Sequence, residues 1–436
     1  MSTSKKKVLV VTYYWPPSGG SGVQRWVKFV KYLKQLGWDP VVYTPSNPER
    51  PAVDESLLSE IPKDTEIVTQ PIWEPYTFYK KFVGIKKEEK LGSGLMKSGN
   101  ESSFLQKISI WIRGNFFIPD ARKFWIKPSK KFLVKYCIEN HIDAIVSTGP
   151  PHSMHMIAKG VSEKTNIPWI ADFRDPWTNI DFFEDLHLSH IARAKHHKLE
   201  KEVLDSADSV IVISPTMKKE FAEITDTPIS VITNGFDETD FSNTEPISNS
   251  KFVISHVGMM TPTRNPRILW QALNELKSEN THFAKNFDLQ LIGKIDSSIV
   301  DSIKSNNVED LVSVINYVPH SEIVRYQKGS NALLLIVNNT PNANLILTGK
   351  FFEYLAAERP IVCISPVKGD MSEILTASKA GSLFSYEDKQ ALKNHLLSLF
   401  ESWENNSLSY NAENIQQYSR KNLTKKLIEE LSSVIR

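Results

Sequence analysis

Cysteine is nearly missing from this chain. The 436 residues hold two, Cys137 and Cys363, each in an apolar stretch and neither at metal-ligand spacing from a His or a second Cys. A disulfide-stapled scaffold is thereby excluded, and both thiols are expected to be buried and reduced, as in a cytosolic enzyme. An excess of either charge is missing too. The 52 Lys and Arg stand against 50 Asp and Glu, a net charge of +2, so binding of nucleic acid through overall basicity is excluded and any basic surface must be local. No stretch approaches the roughly 18 uninterrupted apolar residues of a membrane-spanning helix, although peripheral membrane contact stays open. The first apolar run, Val8 to Thr12, is cut short by Tyr13-Tyr14-Trp15-Pro16-Pro17 before it reaches the length of a signal-peptide core, and reads as a first strand.

What the chain does have is an alternation of short apolar runs with helical patterns. Val8 to Val11, Pro40 to Tyr43, Ala144 to Ser147, Trp169 to Ala171 and Ser209 to Ile213 are apolar on both faces, as strands of a parallel sheet covered by helices must be. Phe252 to Ser255, Leu289 to Ile292, Val312 to Ile315, Ala332 to Ile336 and Ile361 to Ile364 repeat the pattern. The length exceeds one ordinary core, so the expectation is an α/β chain of two doubly wound domains. Residues 1–237 form the first and 251–414 the second, joined by a polar linker over 238–250. An amphipathic final helix over about 415–436 carries Leu423, Leu427, Leu431 and Val434. Residues 80–100 read as a mobile charged insertion. Residues 104–125 mix Trp, Phe, Lys and Arg, a composition suited to a membrane interface or, equally, to a helix packed on its own domain or on a partner.

Five segments can carry chemistry. In Thr348-Gly349-Lys350-Phe351-Phe352-Glu353-Tyr354, a small flexible pair opens a short helix with a carboxylate one turn in. Free amides and the positive helix end suit a phosphate, and the carboxylate suits vicinal hydroxyls. The segment taken alone is also an ordinary capped helix with a solvent-facing Glu. The Gly-rich turn Ser18 to Gly22 follows the first strand. It lets a ligand approach the backbone at Gly19 and Gly20, or is simply a tight turn; it is neither a dinucleotide fingerprint nor a P-loop. Thr148-Gly149-Pro150-Pro151-His152-Ser153 and Asp172-Phe173-Arg174-Asp175 follow two further strands, at the sheet edge where ligand crevices lie. His152 reads as a ligand contact or a satisfied histidine, and Asp172 and Arg174 as cleft residues or a structural ion-pair network. Asp172 and Asp175 flank Arg174 rather than forming an Asp-x-Asp chelate, so no metal is expected. Gly258 with Arg264 makes a second anion site, in which Arg264 and Lys350 together can neutralise a diphosphate.

Taken in order, Gly19-Gly20-Ser21-Gly22-Val23-Gln24-Arg25, Asn234-Gly235-Phe236-Asp237, Gly258 with Arg264, and Lys350-x-x-Glu353-Tyr354-Leu355-Ala356 before Pro360 resemble the family 4 glycosyltransferases, or glycosyl transferase group 1. The Pro-Pro-His and Asp-Phe-Arg-Asp stretches look like a bacterial subgroup acting in polysaccharide assembly. The resemblance implies the GT-B fold, with two Rossmann-like domains facing across a cleft and a last helix crossing back to the first. It further implies a retaining, metal-independent and cofactor-free transferase that moves a sugar from a UDP- or GDP-sugar to a glycan or lipid-linked hydroxyl, in the cytoplasm or at the inner face of the cytoplasmic membrane. In it Glu353 would bind the ribose, Arg264 and Lys350 the diphosphate, and Thr348 and Gly349 the terminal phosphate, with Gly258 beside them. Gly19 and Gly20 would border the donor phosphate and the acceptor, and His152 would touch the transferred sugar. One departure stands out: family members often carry a second Glu eight residues before the one matching Glu353, and here that position is Leu345. Asn342, Asn344 or a backbone amide would have to take its place. A non-catalytic nucleotide-sugar-binding protein and a sugar-nucleotide epimerase of similar fold are the alternative readings.

Overall fold

The computed structural model describes residues 5–50, 52–74, 104–180, 183–242, 244–316, 318–340 and 343–435. The charged insertion at 80–100 and Asn342 lie outside them. The chain divides into two compact units, 1–233 with 421–436, and 234–420.

The first unit is built on a parallel sheet of order β3-β2-β1-β4-β5-β6-β7. Its strands are β1 (Lys7–Val11), β2 (Asp39–Pro45), β3 (Glu66–Gln70), β4 (Ala144–Gly149), β5 (Trp169–Phe173), β6 (Ser209–Val212) and β7 (Ile229–Val231). Strand β1 shows why both faces are apolar. Leu9 and Val11 pack with Trp125, Leu133 and Met154 on one side, while Val8 and Val10 pack with Val23, Trp26 and Val27 of helix Ser21–Gln35 on the other. The final helix, Arg420–Val434, buries Leu423, Leu427 and Leu431 in that second layer, because leucines four apart share one face. It therefore belongs to the first unit, as its periodicity and the family resemblance imply.

The second unit carries a parallel sheet of order β10-β9-β8-β11-β12-β13. Its strands are β8 (Phe252–Val257), β9 (Phe287–Ile292), β10 (Val312–Ile315), β11 (Ala332–Ile336), β12 (Ile361–Ile364) and β13 (Gly381–Phe384). Helices Arg267–Glu279 and Lys389–Glu404 cover one face, and helix Gly349–Ala356 buries Phe351, Phe352, Tyr354 and Leu355 on the other. In each sheet the strand order reverses once, between β1 and β4 and between β8 and β11, and the carboxyl ends of those pairs are where a ligand crevice belongs.

The stretch 238–250 differs from the expected linker. It forms the short helix Glu238–Ser242, buries Phe241, and is held by the Lys328 ammonium, which donates to the carbonyls of Phe241 (2.8 Å) and Thr244 (2.6 Å). A cation capping a helix C-terminus ties this polar segment to the second unit. The final crossing likewise falls after Arg420 rather than near 415, since Ile415–Tyr418 is a separate turn whose Tyr418 carbonyl accepts from the Phe236 amide.

Candidate functional site

At the carboxyl end of β8 the chain turns through Gly258, whose φ of +118° a side chain would strain. The glycine also makes room: a Cβ there would lie 1.9 Å from Lys350 Nζ. Lys350 thus lays its ammonium against the bare backbone of the strand end. Among the described residues its ammonium donates no hydrogen bond; its charged neighbours are Arg264 and Glu353. Burial first, and the Arg264 charge second, push its pKa down to about 8 against the pull of Glu353. Arg264 ends the turn Pro262–Arg264 and is aimed by two bonds, Nε to Asn338 Oδ1 (2.5 Å) and Nη1 to the Met259 carbonyl (3.2 Å).

Helix Gly349–Ala356 starts at Thr348 without a side-chain cap, and Thr348 Oγ1 is buried with no hydrogen-bond partner among the described residues. The helix is pinned at its other functional positions. Tyr354 accepts a hydrogen bond from the Val257 amide (2.9 Å), and Glu353 Oε2 accepts one from Gln327 Nε2 (3.3 Å). Gln327 is fully buried, and its Oε1 is unpartnered among the described residues. His256, also buried, places Nδ1 3.0 Å from the Leu334 carbonyl across the β8/β11 seam. A carbonyl only accepts, so Nδ1 carries the hydrogen and Nε2 a lone pair. Burial, with the charges of Lys350 and Arg264, lowers the His256 pKa to about 3, which keeps the ring neutral. A cation pair, an uncapped helix start and a held carboxylate therefore converge where an anion followed by a diol would lie.

Asn344, a candidate for the missing Glu, is exposed on the turn Ala343–Leu345. Its carbonyl sits so close to Gly369 that a Cβ there would approach it to 2.7 Å. His256, Gln327, Tyr354 and Asn338 were not anticipated as site residues. A histidine inside an otherwise apolar strand, two residues before a glycine, is the signal that could have pointed to the first.

The expected residues of the first unit have a different character. Asp172 is wholly buried and saturated: Arg25 Nη2 (2.8 Å), Trp26 Nε1 (2.8 Å) and Thr148 Oγ1 (2.8 Å) all donate to it. Arg25 donates onward to the Thr233 (2.7 Å) and Ile232 (2.9 Å) carbonyls. Asp172 is thus a structural ion-pair member that ties helix Ser21–Gln35 to β5, rather than a cleft residue. Arg174 donates to the carbonyls of Gly149 and Pro150, and a Cβ at Gly22 would lie 1.7 Å from its Nη1. The close approach in this turn is therefore made at Gly22 by a protein side chain. Gly20, at φ +114°, caps the helix with nothing within 4 Å of its would-be Cβ, whereas Gly19 packs against Asp54.

His152 is buried and stacked on Trp177, with ring centroids 4.4 Å apart and planes 1° from parallel. Burial and neighbouring His155 hold its pKa well below the usual value, so it stays neutral. Its Nδ1 and His155 Nε2 lack partners among the described residues, and both converge on Gly149, where a Cβ would meet them at 3.2 and 2.4 Å. The cysteines are buried thiols, each pushed up to about 12 by burial, hence inert.

Comparisons with known proteins bear on the family and the fold. Residues 251–402 match the family described as glycosyl transferases group 1, and residues 98–240 match glycosyltransferase family 4. No curated protein matches the sequence. Among solved structures, a glycosyltransferase from Rickettsia africae is 13% identical with a TM-score of 0.64, and covers all of both chains. Anabaena HepE in complex with UDP is 15% identical with a TM-score of 0.60, over 98% of this chain and all of that one. A protein assigned as a UDP-N-acetylglucosamine 2-epimerase, from Listeria monocytogenes, is 11% identical with a TM-score of 0.58, over 98% of this chain and 96% of that one. At such identities the structures speak for the shared GT-B fold, and the family matches carry the activity. With one family model on each unit and the seven- and six-stranded doubly wound sheets between them accounting for the fold, the chain belongs to the group 1, family 4 glycosyltransferases.

Proposed function

We propose that the chain transfers a sugar from a nucleoside-diphosphate sugar to a hydroxyl of a glycan or lipid-linked acceptor in cell-surface polysaccharide synthesis. The observation that carries the reading is the Lys350 ammonium seated on Gly258 beside Arg264, at the uncapped start of helix Gly349–Ala356. As the glycosidic bond to the donor breaks, negative charge grows on the β-phosphate. Two cations and the helix amides, already in position, stabilise that charge without reorganising. Glu353, held by Gln327, accepts from the ribose hydroxyls. The second unit is thus read as the donor side and the first as the acceptor side, with His152, Gly19, Gly20 and Arg174 near the acceptor.

Retention of configuration and independence from metal belong to the same reading. No carboxylate is assigned as a nucleophile; the leaving phosphate takes the acceptor proton in a front-face substitution. A cytoplasmic location, on the inner face of the cytoplasmic membrane, would bring the enzyme to nucleotide sugars.

Incubation with UDP- and GDP-sugars, with and without EDTA, tests the proposal. Slow, chelator-insensitive release of nucleoside diphosphate is expected, and Arg264→Ala should suppress it by orders of magnitude while the protein stays folded. Binding without release would point to a non-catalytic sensor, for which Leu345 in place of the usual Glu is the argument. A changed sugar on an intact nucleotide would point to an epimerase.

A further inference from the structure

Four large rings of the first unit stand in water: Trp73 (56% exposed), Trp111 (42%), Phe116 (60%) and Phe124 (45%). They are linked rather than scattered. The Trp73 and Phe124 rings lie 5.0 Å apart, Phe117 is 6.1 Å from Phe124, and Trp111 is 5.6 Å from Phe116. Lys123 joins the two halves. Its ammonium sits 5.1 Å from the Phe124 ring and 5.4 Å from the Phe117 ring, and donates to the Phe116 carbonyl at 2.5 Å.

The patch is presented rigidly, because the neighbours of its exposed residues are locked inside. Glu74, next to Trp73, pairs with Arg122, next to Lys123, at 3.2 Å, and accepts from the Tyr13 hydroxyl at 2.8 Å. Trp125 stacks on Tyr43 of β2 with centroids 4.9 Å apart. The rings are therefore not exposed by local looseness.

Along the segment that carries three of the four rings the charge is almost all of one sign, and Glu184 of the neighbouring turn is paired with Arg193. Residues 104–131 contain seven Lys and Arg against Asp120 alone, and Asp120 is turned inward to accept from the Ser153 amide and hydroxyl, each at 2.8 Å. Arg113, Lys127 and Lys131 are exposed and form no ion pair among the described residues. Aromatic rings with a cationic surround match a headgroup layer, where rings enter the interface and ammonium groups meet anionic lipid. A protein partner would want fewer lysines at the centre of the contact.

We infer that this face, at the carboxyl end of β3 and the start of helix Lys123–Glu139, seats the protein on an anionic lipid surface. The same sheet edge carries the turn 148–153, so docking would hold the acceptor-side residues next to lipid-borne hydroxyls. The inference about docking stands apart from the identity of the donor.

Flotation of the full chain with phosphatidylcholine vesicles, with and without phosphatidylglycerol, tests it. The parent should float only with the anionic vesicles and detach in high salt. At about 1 kcal/mol per basic residue near an anionic surface, Lys123→Glu with Lys127→Glu should lower partitioning about 30-fold. Trp73→Ser with Phe124→Ser should lower it at least tenfold, with melting and nucleoside diphosphate release unchanged. Lys127→Glu alone, a change at an exposed position, guards against a folding defect in the pairs. The inference is overturned if the parent stays unbound, if it floats equally with neutral vesicles, if the variants float like the parent, or if the patch instead drives dimerisation without vesicle binding.

Discussion

The two units answer the same design with opposite outcomes. In each, a cation lies on a glycine at the carboxyl edge of the sheet: Arg174 on Gly22 in the first, Lys350 on Gly258 in the second. Arg174 is spent on the Gly149 and Pro150 carbonyls, and the nearby carboxylate Asp172 is filled by Arg25, Trp26 and Thr148. Among the described residues Lys350 has only the through-space pull of Glu353 against the repulsion of Arg264. A guanidinium with carbonyl partners fastens a turn; an ammonium without them waits for an anion. Similar residues in similar places are thus taken up by structure in one unit and left without hydrogen-bond partners among the described residues in the other.

Substitutions can break or sharpen that contrast. The largest effect is expected at Asp172→Ala, which leaves Arg25 buried and uncompensated at a cost of about 3–5 kcal/mol, read as a drop in melting temperature of the first unit's transition. Next is Lys350→Ala. Removing one preorganised donor to a developing charge should lower turnover by about 10²–10³-fold, with melting nearly unchanged. Gly22→Ala and Gly258→Ala form a matched pair. The first displaces Arg174 and should show mainly as lost stability; the second displaces Lys350 and should show mainly as lost donor affinity, after a backbone cost of about 1–3 kcal/mol. If both variants lose the same property, the contrast fails. The smallest effect is expected at Gln327→Leu, which frees Glu353 from its bond and should raise the KM for the donor by about tenfold, the scale of one hydrogen bond to a charged group, with kcat little changed.

Much of this was legible in the sequence, and the exceptions have physical causes. The interior strands β1, β2, β4, β5, β6, β8, β9, β11 and β12 announced themselves as apolar runs because both of their faces are buried. Strands β3, β7 and β13 were not read, and each lies at the end of a sheet and is partly exposed, where apolar pattern fades; β10, at the remaining sheet end and also partly exposed, was read because Val312, Val314 and Ile315 keep its run apolar. The polar segment 238–250 looked like a linker because its anchorage is mostly backbone carbonyls gripped by Lys328, which leaves no apolar period to see. Among candidate site residues, Lys350, Arg264 and Glu353, which the structure brings together, were legible because a glycine or a helix start marked their place. His256 and Gln327 were missed because each acts through a partner distant in sequence, the Leu334 carbonyl and the Glu353 carboxylate. Asp172 was placed in a cleft because nothing local reveals that Arg25, far upstream, fills it.

The central claim is that the second unit binds a nucleoside diphosphate through a lysine whose pKa its surroundings lower to about 8. A Lys whose pKa is about 8 when empty is charged below that pH and neutral above it, and a bound diphosphate pulls the proton back. Affinity should therefore be full below pH 8 and fall as the pH rises through it. The most direct measurement is calorimetric titration of UDP, and of GDP, into the parent and Lys350→Gln below and above that pH. The account predicts that the parent binds more weakly on the alkaline side and takes up a proton on binding there, while the variant binds weakly at both. Equal affinities for parent and variant, or a parent affinity that ignores the change in pH, would contradict it.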